Sequence, residues 1–389
     1  ESVLQWMADS GLESDFDGIP GLEGVDLPSE STRIPVPELD AYIEDEKKKG
    51  EAGFAQYDLI PKVTNSTVDF AAIEANVPKN RYQSCLPYDY NRVVLEQIGD
   101  DPNTTYINAS HIPGYPDGGT EVKYIATQGP KQETIGDFWR MIWQYNVEKI
   151  QVLTVLVSEE GKVKCDKYWP DGSDFLHCSP GLSVRTLSEE VSTHYTVRTF
   201  ELRRRGKRRR VMQFHFTSWP DMGVPDKTAL LNFRNYESEF NVSKGTPIVV
   251  HCSAGVGRTG SFLAIDNLLR QATAENAIDV FKWVLHLRAC RAKSVETTEQ
   301  YQFVHESVLQ GLSMKDSGFE SGVAGDVQGL DDVKLPSEPT RIQVSDLEAF
   351  IKKEKNKGDK GFAQYELIPH VLNSSLDFAA IEANVPKNR

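Results

Sequence analysis

The sequence predicts an α/β fold: one large domain with a mixed, twisted central sheet flanked by helices, plus an incomplete second copy. Three observations lead there. Strand-like and helix-like apolar patterns follow one another without strict alternation, which favours a mixed sheet with helices on both faces. The 389 residues are 39% hydrophobic and 10% aromatic, enough for a sizeable soluble core. Segment 22–81 also recurs without gaps as 330–389, with 41 of 60 positions identical.

The elements follow in order. ELDAYIEDEKKKG (38–50) is amphipathic at helical spacing and stops at a glycine. TYINAS (105–110) and KYIATQG (123–129) read as short strands, and ETIGDFWRMIWQYN (133–146) as a helix with an acidic first turn. The longest apolar run, IQVLTVLV (150–157), is too short for a membrane span and reads as a buried strand. RTFEL and RVMQFHF alternate on either side of the basic run RRRGKRRR (203–210). That run therefore reads as a solvated hairpin tip around Gly206, in preference to a nuclear-localisation signal or a lipid patch. DKTALLNFRNYESEF (226–240) is a helix, PIVVHC (247–252) a buried strand, and three helices follow at 258–272, 279–289 and 297–311.

The repeat sets the expected domains. ESVLQ opens the chain and recurs at 306–310, and SGLES (10–14) matches SGFES (317–321). Residues 1–21 then read as the tail of a preceding copy and a linker, 22–312 as one complete unit, 313–329 as a linker and 330–389 as the truncated start of another copy. Both linkers are acidic and glycine-rich, and each carries a DSGxxS string too short to bear weight.

The net charge of −14 argues against a nucleic-acid partner. Five cysteines without paired spacing fit a reducing compartment and imply no metal site, and the sequence implies no cofactor. No signal peptide is read at the start of the sequence. The Asn-x-Ser/Thr sites at Asn65, Asn103, Asn108, Asn241 and Asn373 read as chance matches on a cytosolic surface.

The chemistry concentrates in HCSAGVGRTG (251–260). An apolar strand delivers His251 and Cys252 to a carboxyl end, where α/β sheets bind ligands. Ser253, Ala254, Gly255, Val256 and Gly257 form a loop whose two glycines let backbone N–H groups turn inward as an anion nest. The next helix aims its positive end at the same spot, and Arg258 adds a planar fork suited to two phosphate oxygens. Donors and positive charge favour thiolate over thiol. One loop therefore supplies a nucleophile and a cradle for a tetrahedral dianion, and the chemistry implied is phosphoryl transfer to sulfur. A nucleotide-binding P-loop would need a lysine absent here.

HCSAGVGRTG resembles the HCxxGxxR[ST]G signature of the protein tyrosine phosphatases. KNRY, YINAS, ATQGP, DFWRMIW, KCDKYWP, WPDMGVP and EQY occur in that family's order, so the resemblance covers about 34–311. The tandem copies resemble the receptor-type members. The resemblance implies the family's highly twisted mixed sheet, phosphotyrosyl proteins as partners and no metal or cofactor. It also implies a cytoplasmic location as the intracellular region of a membrane-anchored parent, with contacts between phosphatase copies within or between chains. It makes Cys252 the nucleophile, Arg258 the phosphate clamp and Asp221 of WPDMGVP the general acid and base. The second Trp-Pro-Asp, at Asp171, is read as incidental. His251 would tune Cys252, Thr259 would assist thiolate departure, Tyr82 would stack on the substrate ring, and Trp219 would hinge the acid loop. Glu159 and Lys164 would support Arg258 and the closed loop, and Gln300 would position water. No lysine stands between Cys252 and Arg258, which disfavours a lipid substrate.

Two positions depart from the family pattern. Glu296 opens ETTEQY where the family has a glutamine, and a carboxylate there would repel the phosphoenzyme and slow hydrolysis. Ser84 stands where an Asn or Asp grips the substrate backbone. These departures sustain an alternative: a weakly active or inactive regulatory phosphotyrosine-binding domain.

Overall fold

A computed structural model of the chain describes residues 28, 31–62, 64–116, 123–172 and 174–316. The copies expected at 1–21 and 330–389 lie outside the described residues, as does the linker from 317 onward. Among the described residues the strands are β1 (Ile34–Pro35), β2 (Arg92–Val94), β3 (Tyr106–Pro113), β4 (Lys123–Thr127), β5 (Lys149–Val152), β6 (Leu176–Ser179), β7 (Leu182–Val191), β8 (Tyr195–Arg204), β9 (Lys207–Phe216), β10 (Ile248–His251) and β11 (Ala277–Ile278). The α-helices are α1 (Leu39–Lys48), α2 (Gln56–Leu59), α3 (Asp69–Ala72), α4 (Ile135–Gln144), α5 (Lys227–Ser238), α6 (Gly257–Glu275), α7 (Val280–Cys290) and α8 (Thr298–Asp316).

Nine strands form one sheet in the order β2-β3-β4-β10-β5-β9-β8-β7-β6, and β1 pairs separately with β11. The central β4, β10, β5 and β9 run parallel, while both flanks are antiparallel, so the sheet is mixed. Every residue of β10 is buried. A parallel strand covered on both faces has to be apolar throughout, which is why IVV precedes the histidine. On one face Phe262, Leu268, Trp283, Tyr301 and Val304 of α6, α7 and α8 build the larger core around Val250. On the other, Phe138, Trp139 and Ile142 of α4 pack against Ile150, Phe200 and Val249. Each such side chain contributes about 1.5–3 kcal/mol by leaving water.

Three expectations need correction. The run at 150–157 is a strand only as far as Val152. The Leu153 N–H still donates to His251 O at 2.9 Å, after which the chain turns across the end of β10 and exposes Val157. The linker begins later than 313, because α8 continues to Asp316. Asn108 is not a surface site. It is 1% exposed, and its Nδ2 donates to Asn80 Oδ1 and Cys85 O, each at 2.9 Å.

The basic run does form a hairpin tip. β8 and β9 pair from Tyr195↔Phe216 to Arg204↔Lys207, closing on Arg205 (φ 47°) and Gly206 (φ 78°). Both turn residues are left-handed, the twist that suits a two-residue hairpin turn.

Candidate active site

Cys252 follows β10 and is 4% exposed. The Gly255 N–H donates to its Sγ at 3.2 Å. Gly255 has φ 73°, and a methyl there would meet Thr127 O at 2.1 Å, so only glycine allows the loop to lie against β4. The helix α6 starts directly from this loop, with Val256 at its N-cap and no side-chain cap. By contrast, Asp226 caps α5 and Asp279 caps α7. The first N–H groups of α6 therefore have no side chain to satisfy them, at the end where the helix dipole is positive. The Thr259 hydroxyl, in the same turn, is buried and makes no hydrogen bond. Ser253 Oγ donates to Lys164 O at 2.7 Å, and Gly129 N–H holds Ser253 O at 2.9 Å, which fixes the loop's outer wall.

Arg258 joins the cysteine loop to the acid loop. Its NH1 donates to Thr154 Oγ1 at 3.2 Å, and its NH2 donates to Pro220 O at 2.9 Å. The guanidinium lies 3.8 Å from Asp221 Oδ1 and 5.9 Å from the Trp219 ring centre. Burial depresses its pKa, opposed by the charges of Cys252 and Asp221. Lys164 Nζ is 3.5 Å from Asp221 Oδ1, an enclosed oxygen that makes no hydrogen bond. Trp219 is 2% exposed and donates from Nε1 to Gly223 O at 3.3 Å, which pins one end of the loop. Glu159 does not reach Arg258 with its exposed side chain; its backbone N–H donates to Asp221 Oδ2 at 3.2 Å. Asp171 lies apart, 91% exposed and paired with Lys167.

Tyr82 meets the cysteine loop at Ser253. Ser253 has already given its proton to Lys164 O, so the Tyr82 hydroxyl donates to Ser253 Oγ, at 2.9 Å. A methyl on Gly257 would approach both amide atoms of Gln300 to 3.1 Å and Glu296 Oε2 to 3.3 Å. Both side chains therefore lie over the first turn of α6. Gln300 Oε1 accepts from Glu296 N–H at 2.8 Å, which leaves the Gln300 amide hydrogens for the loop side. Ser84 is exposed and touches Cys85 Sγ at 3.7 Å.

His251 sits in a directed chain. Arg198 NH1 donates to Gln213 Oε1 at 3.0 Å, Gln213 Nε2 donates to the Tyr168 hydroxyl at 2.8 Å, and that hydroxyl lies 2.9 Å from His251 Nε2. The Tyr168 proton then points to Nε2, and His251 Nδ1–H donates to Cys252 O at 3.1 Å. Burial lowers the His251 pKa to about 4, so the ring is neutral at pH 7 and acts through its tautomer and its bond to the cysteine backbone.

Two further residues escaped sequence reasoning. Arg291, 1% exposed, donates from Nε to Gly255 O at 2.7 Å and from NH2 to Ala254 O at 3.0 Å and Asn108 Oδ1 at 2.7 Å. By holding two loop carbonyls outward it turns the intervening N–H groups toward the cysteine. Glu299 places a carboxylate oxygen 3.2 Å from where a Gly223 side chain would begin, directly against the acid loop. RAC and TTEQ are ordinary helix-end sequences, and no spacing marks either residue.

A family model described as protein-tyrosine phosphatase matches residues 76–310. The receptor-type tyrosine-protein phosphatase F of Bos taurus is 41% identical over 282 residues, covering 71% of this chain and 14% of that protein. The human receptor-type tyrosine-protein phosphatase eta is 42% identical over 298 residues, covering 75% of this chain and 22% of that protein. The chain thus spans less than a quarter of the length of these curated relatives. A mixed α/β sheet with a cysteine at the carboxyl end of its central strand defines the class, and with these matches the chain belongs to the protein-tyrosine phosphatase family.

Proposed function

We propose that this domain hydrolyses phosphotyrosine in proteins through a cysteinyl-phosphate intermediate. One observation carries the reading: the buried start of α6 lacks a side-chain cap where Cys252 and Arg258 converge. Orphan N–H groups and a guanidinium fork make a seat for three phosphate oxygens. Cys252 Sγ attacks phosphorus, and the S–P bond forms as the P–O bond to tyrosine breaks. Asp221 gives its proton to the departing phenolic oxygen, a step worth ~10²–10⁴-fold. Thr259 donates to the sulfur as it leaves in the second step. Water placed by Gln300 attacks phosphorus, Asp221 takes its proton, and inorganic phosphate and thiolate result. Tyr82 walls the entry, and its ring length suits phosphotyrosine over the shorter phosphoserine.

The domain, from 22 to the end of α8, belongs to a tandem array in the cytoplasmic part of a membrane-anchored signalling parent. Receptor-type tyrosine-protein phosphatases among the relatives support that placement. Contacts between copies, within or between chains, belong to the same reading.

A second reading rests on Glu296. Its carboxylate lies over the first turn of α6 and competes with a phosphate for the same helix end. In that case the domain binds phosphotyrosine with little turnover. Rapid-mix phosphate release from a phosphotyrosyl peptide by the full chain, with Cys252→Ser as blank, separates the two. Steady turnover abolished by that substitution supports the phosphatase. Tight peptide retention with no release supports the module.

A further inference from the structure

We propose that the tip of the β8–β9 hairpin docks the domain on an anionic lipid bilayer. The tip holds Arg203, Arg204, Arg205, Lys207, Arg208, Arg209 and Arg210, seven cations in eight residues of a chain with net charge −14. The remainder of the chain therefore carries −21. Seven cations on one hairpin turn concentrate positive potential at that end, which attracts an anionic surface and favours one orientation.

What the sequence could not show is how little of this charge is answered inside the protein. Arg203 pairs with Glu201 at 2.6 Å, and the same carboxylate serves Arg208 at 4.0 Å. Arg204 reaches Glu96 at only 3.5 Å. Arg209 lies over the Trp143 ring, 4.0 Å from its centre. Its guanidinium is depressed by burial and then by the charge of Arg204, a mark of cations crowding one another. Arg205, Lys207 and Arg210 are exposed and have no carboxylate within 4.0 Å among the described residues. Glu148, which lines a cleft with Arg209 and Arg210, is held by the Ser243 N–H at 2.8 Å and hydroxyl at 2.6 Å.

The shape selects a flat partner. The turn residues Arg205 and Gly206 are both left-handed and exposed, and a side chain built on Gly206 would meet nothing within 4 Å. A convex tip with free guanidinium groups meets a plane of lipid phosphates and carboxylates, whereas the clefts beside it, lined by Arg204 and Arg205 with Glu96 and by Arg209 and Arg210 with Glu148, each hold a carboxylate that repels an acidic peptide. β9 runs parallel to β5, and β5 to β10. The hairpin tip therefore lies at the amino ends of the parallel strands, and Cys252 lies beyond their carboxyl ends. The ten residues of β9 separate the two poles by ~30 Å. Docked by the tip, the domain turns its cysteine loop away from the membrane, toward soluble protein substrates.

The test uses the full chain with sedimenting vesicles of phosphatidylcholine alone or with about 30% phosphatidylserine, at about 0.1 M salt. The comparison is the triple substitution Arg205→Gln, Lys207→Gln, Arg210→Gln, none of which touches the candidate active site. Each cation near such a surface is worth about a factor of five, so the variant loses ~100-fold in partitioning to anionic vesicles. The parent shows no binding to neutral vesicles and releases at about 0.5 M salt. Equal partitioning to both vesicle types, or a variant that binds within about threefold of the parent, overturns the proposal. So does a soluble polyglutamate peptide that displaces the vesicles at matched charge, because the partner is then an acidic chain. Unchanged release of phosphate from a soluble phosphotyrosyl peptide by vesicle-bound enzyme supports the orientation, and its loss on binding refutes it. The binding arms need no turnover, so they stand or fall independently of the phosphatase reading.

Discussion

Arg291→Met removes a buried cation that holds the cysteine loop open. The guanidinium makes four hydrogen bonds: to Gly255 O at 2.7 Å, Ala254 O at 3.0 Å, Asn108 Oδ1 at 2.7 Å and Ser110 Oγ at 3.2 Å. Met fills similar volume and offers no donor. The Ser110 hydroxyl and Asn108 amide can turn to other partners, but the two loop carbonyls cannot without rotating their peptides. Each orphaned buried acceptor costs ~1–3 kcal/mol, so the net loss is ~4 kcal/mol after the relief of desolvating one guanidinium. In a domain of this size that lowers Tm by ~10 °C. The larger effect is on the site. If the peptides of Ala254 and Gly255 rotate, their neighbours' N–H groups no longer face the phosphate, and kcat/KM falls ~10²–10³-fold, as when a fixed oxyanion donor is lost. Arg291→Lys keeps one carbonyl contact and should fall between the two. Calorimetry, kcat/KM on a phosphotyrosyl peptide and inhibition by inorganic phosphate are the assays. A variant that melts early yet retains full turnover and phosphate affinity, measured well below its Tm, would refute the idea that Arg291 orients the loop.

Other substitutions probe the rest of the site. Asp221→Asn should lower kcat by ~10²–10⁴-fold while Asp171→Asn leaves it unchanged, because only the former stands beside Arg258; equal effects in steady-state assays would reverse the assignment. Glu296→Gln should raise the steady rate relative to the burst by ~10-fold and tighten phosphate inhibition, read by rapid-mix kinetics; a slower steady rate would make the carboxylate a helper. Burial lowers the pKa values of His215, His251, His286 and His305 to about 4. The unfolded chain then binds more protons between pH 6.5 and 4, so this contribution is present above about pH 6.5 and is lost as pH falls toward 4, at ~2 kcal/mol per histidine by pH 5. Denaturant titrations at pH 7.5 and 5 should differ by several kcal/mol, and identical midpoints would show that the rings are hydrated.

Long periodic elements were legible in the sequence because one chemical pattern determines each of them. α4, α5, α7 and the β8–β9 hairpin fall where 3.6- and two-residue periods place them. The cysteine loop was legible because Gly255, Gly257 and Arg258 have little reason to cluster unless the backbone must face an anion. The bounds of the outer strands β6 and β7 were not legible because beyond Val184 the exposed half of β7 buries nothing that could impose a pattern. β5 was overextended because apolar character records burial, and Leu153 remains buried after the chain leaves the sheet. Arg291, Glu299 and the Arg198–Gln213–Tyr168 chain were illegible for a different reason. Their partners lie tens to hundreds of residues away, so no local spacing encodes them.

The burial of Asn108 bears on how this protein can be made. Asn108-Ala109-Ser110 is an acceptor triplet for N-linked sugar, and sugar is added while the chain is still extended. In the fold both amide hydrogens of Asn108 are committed, and no room for a glycan remains around them. A secretory host would therefore split the product into unmodified molecules that fold and modified ones that cannot. Erasing the triplet at Ser110 exchanges one fault for another, since that hydroxyl accepts from Arg291 at 3.2 Å. Production in a compartment without the transferase avoids both.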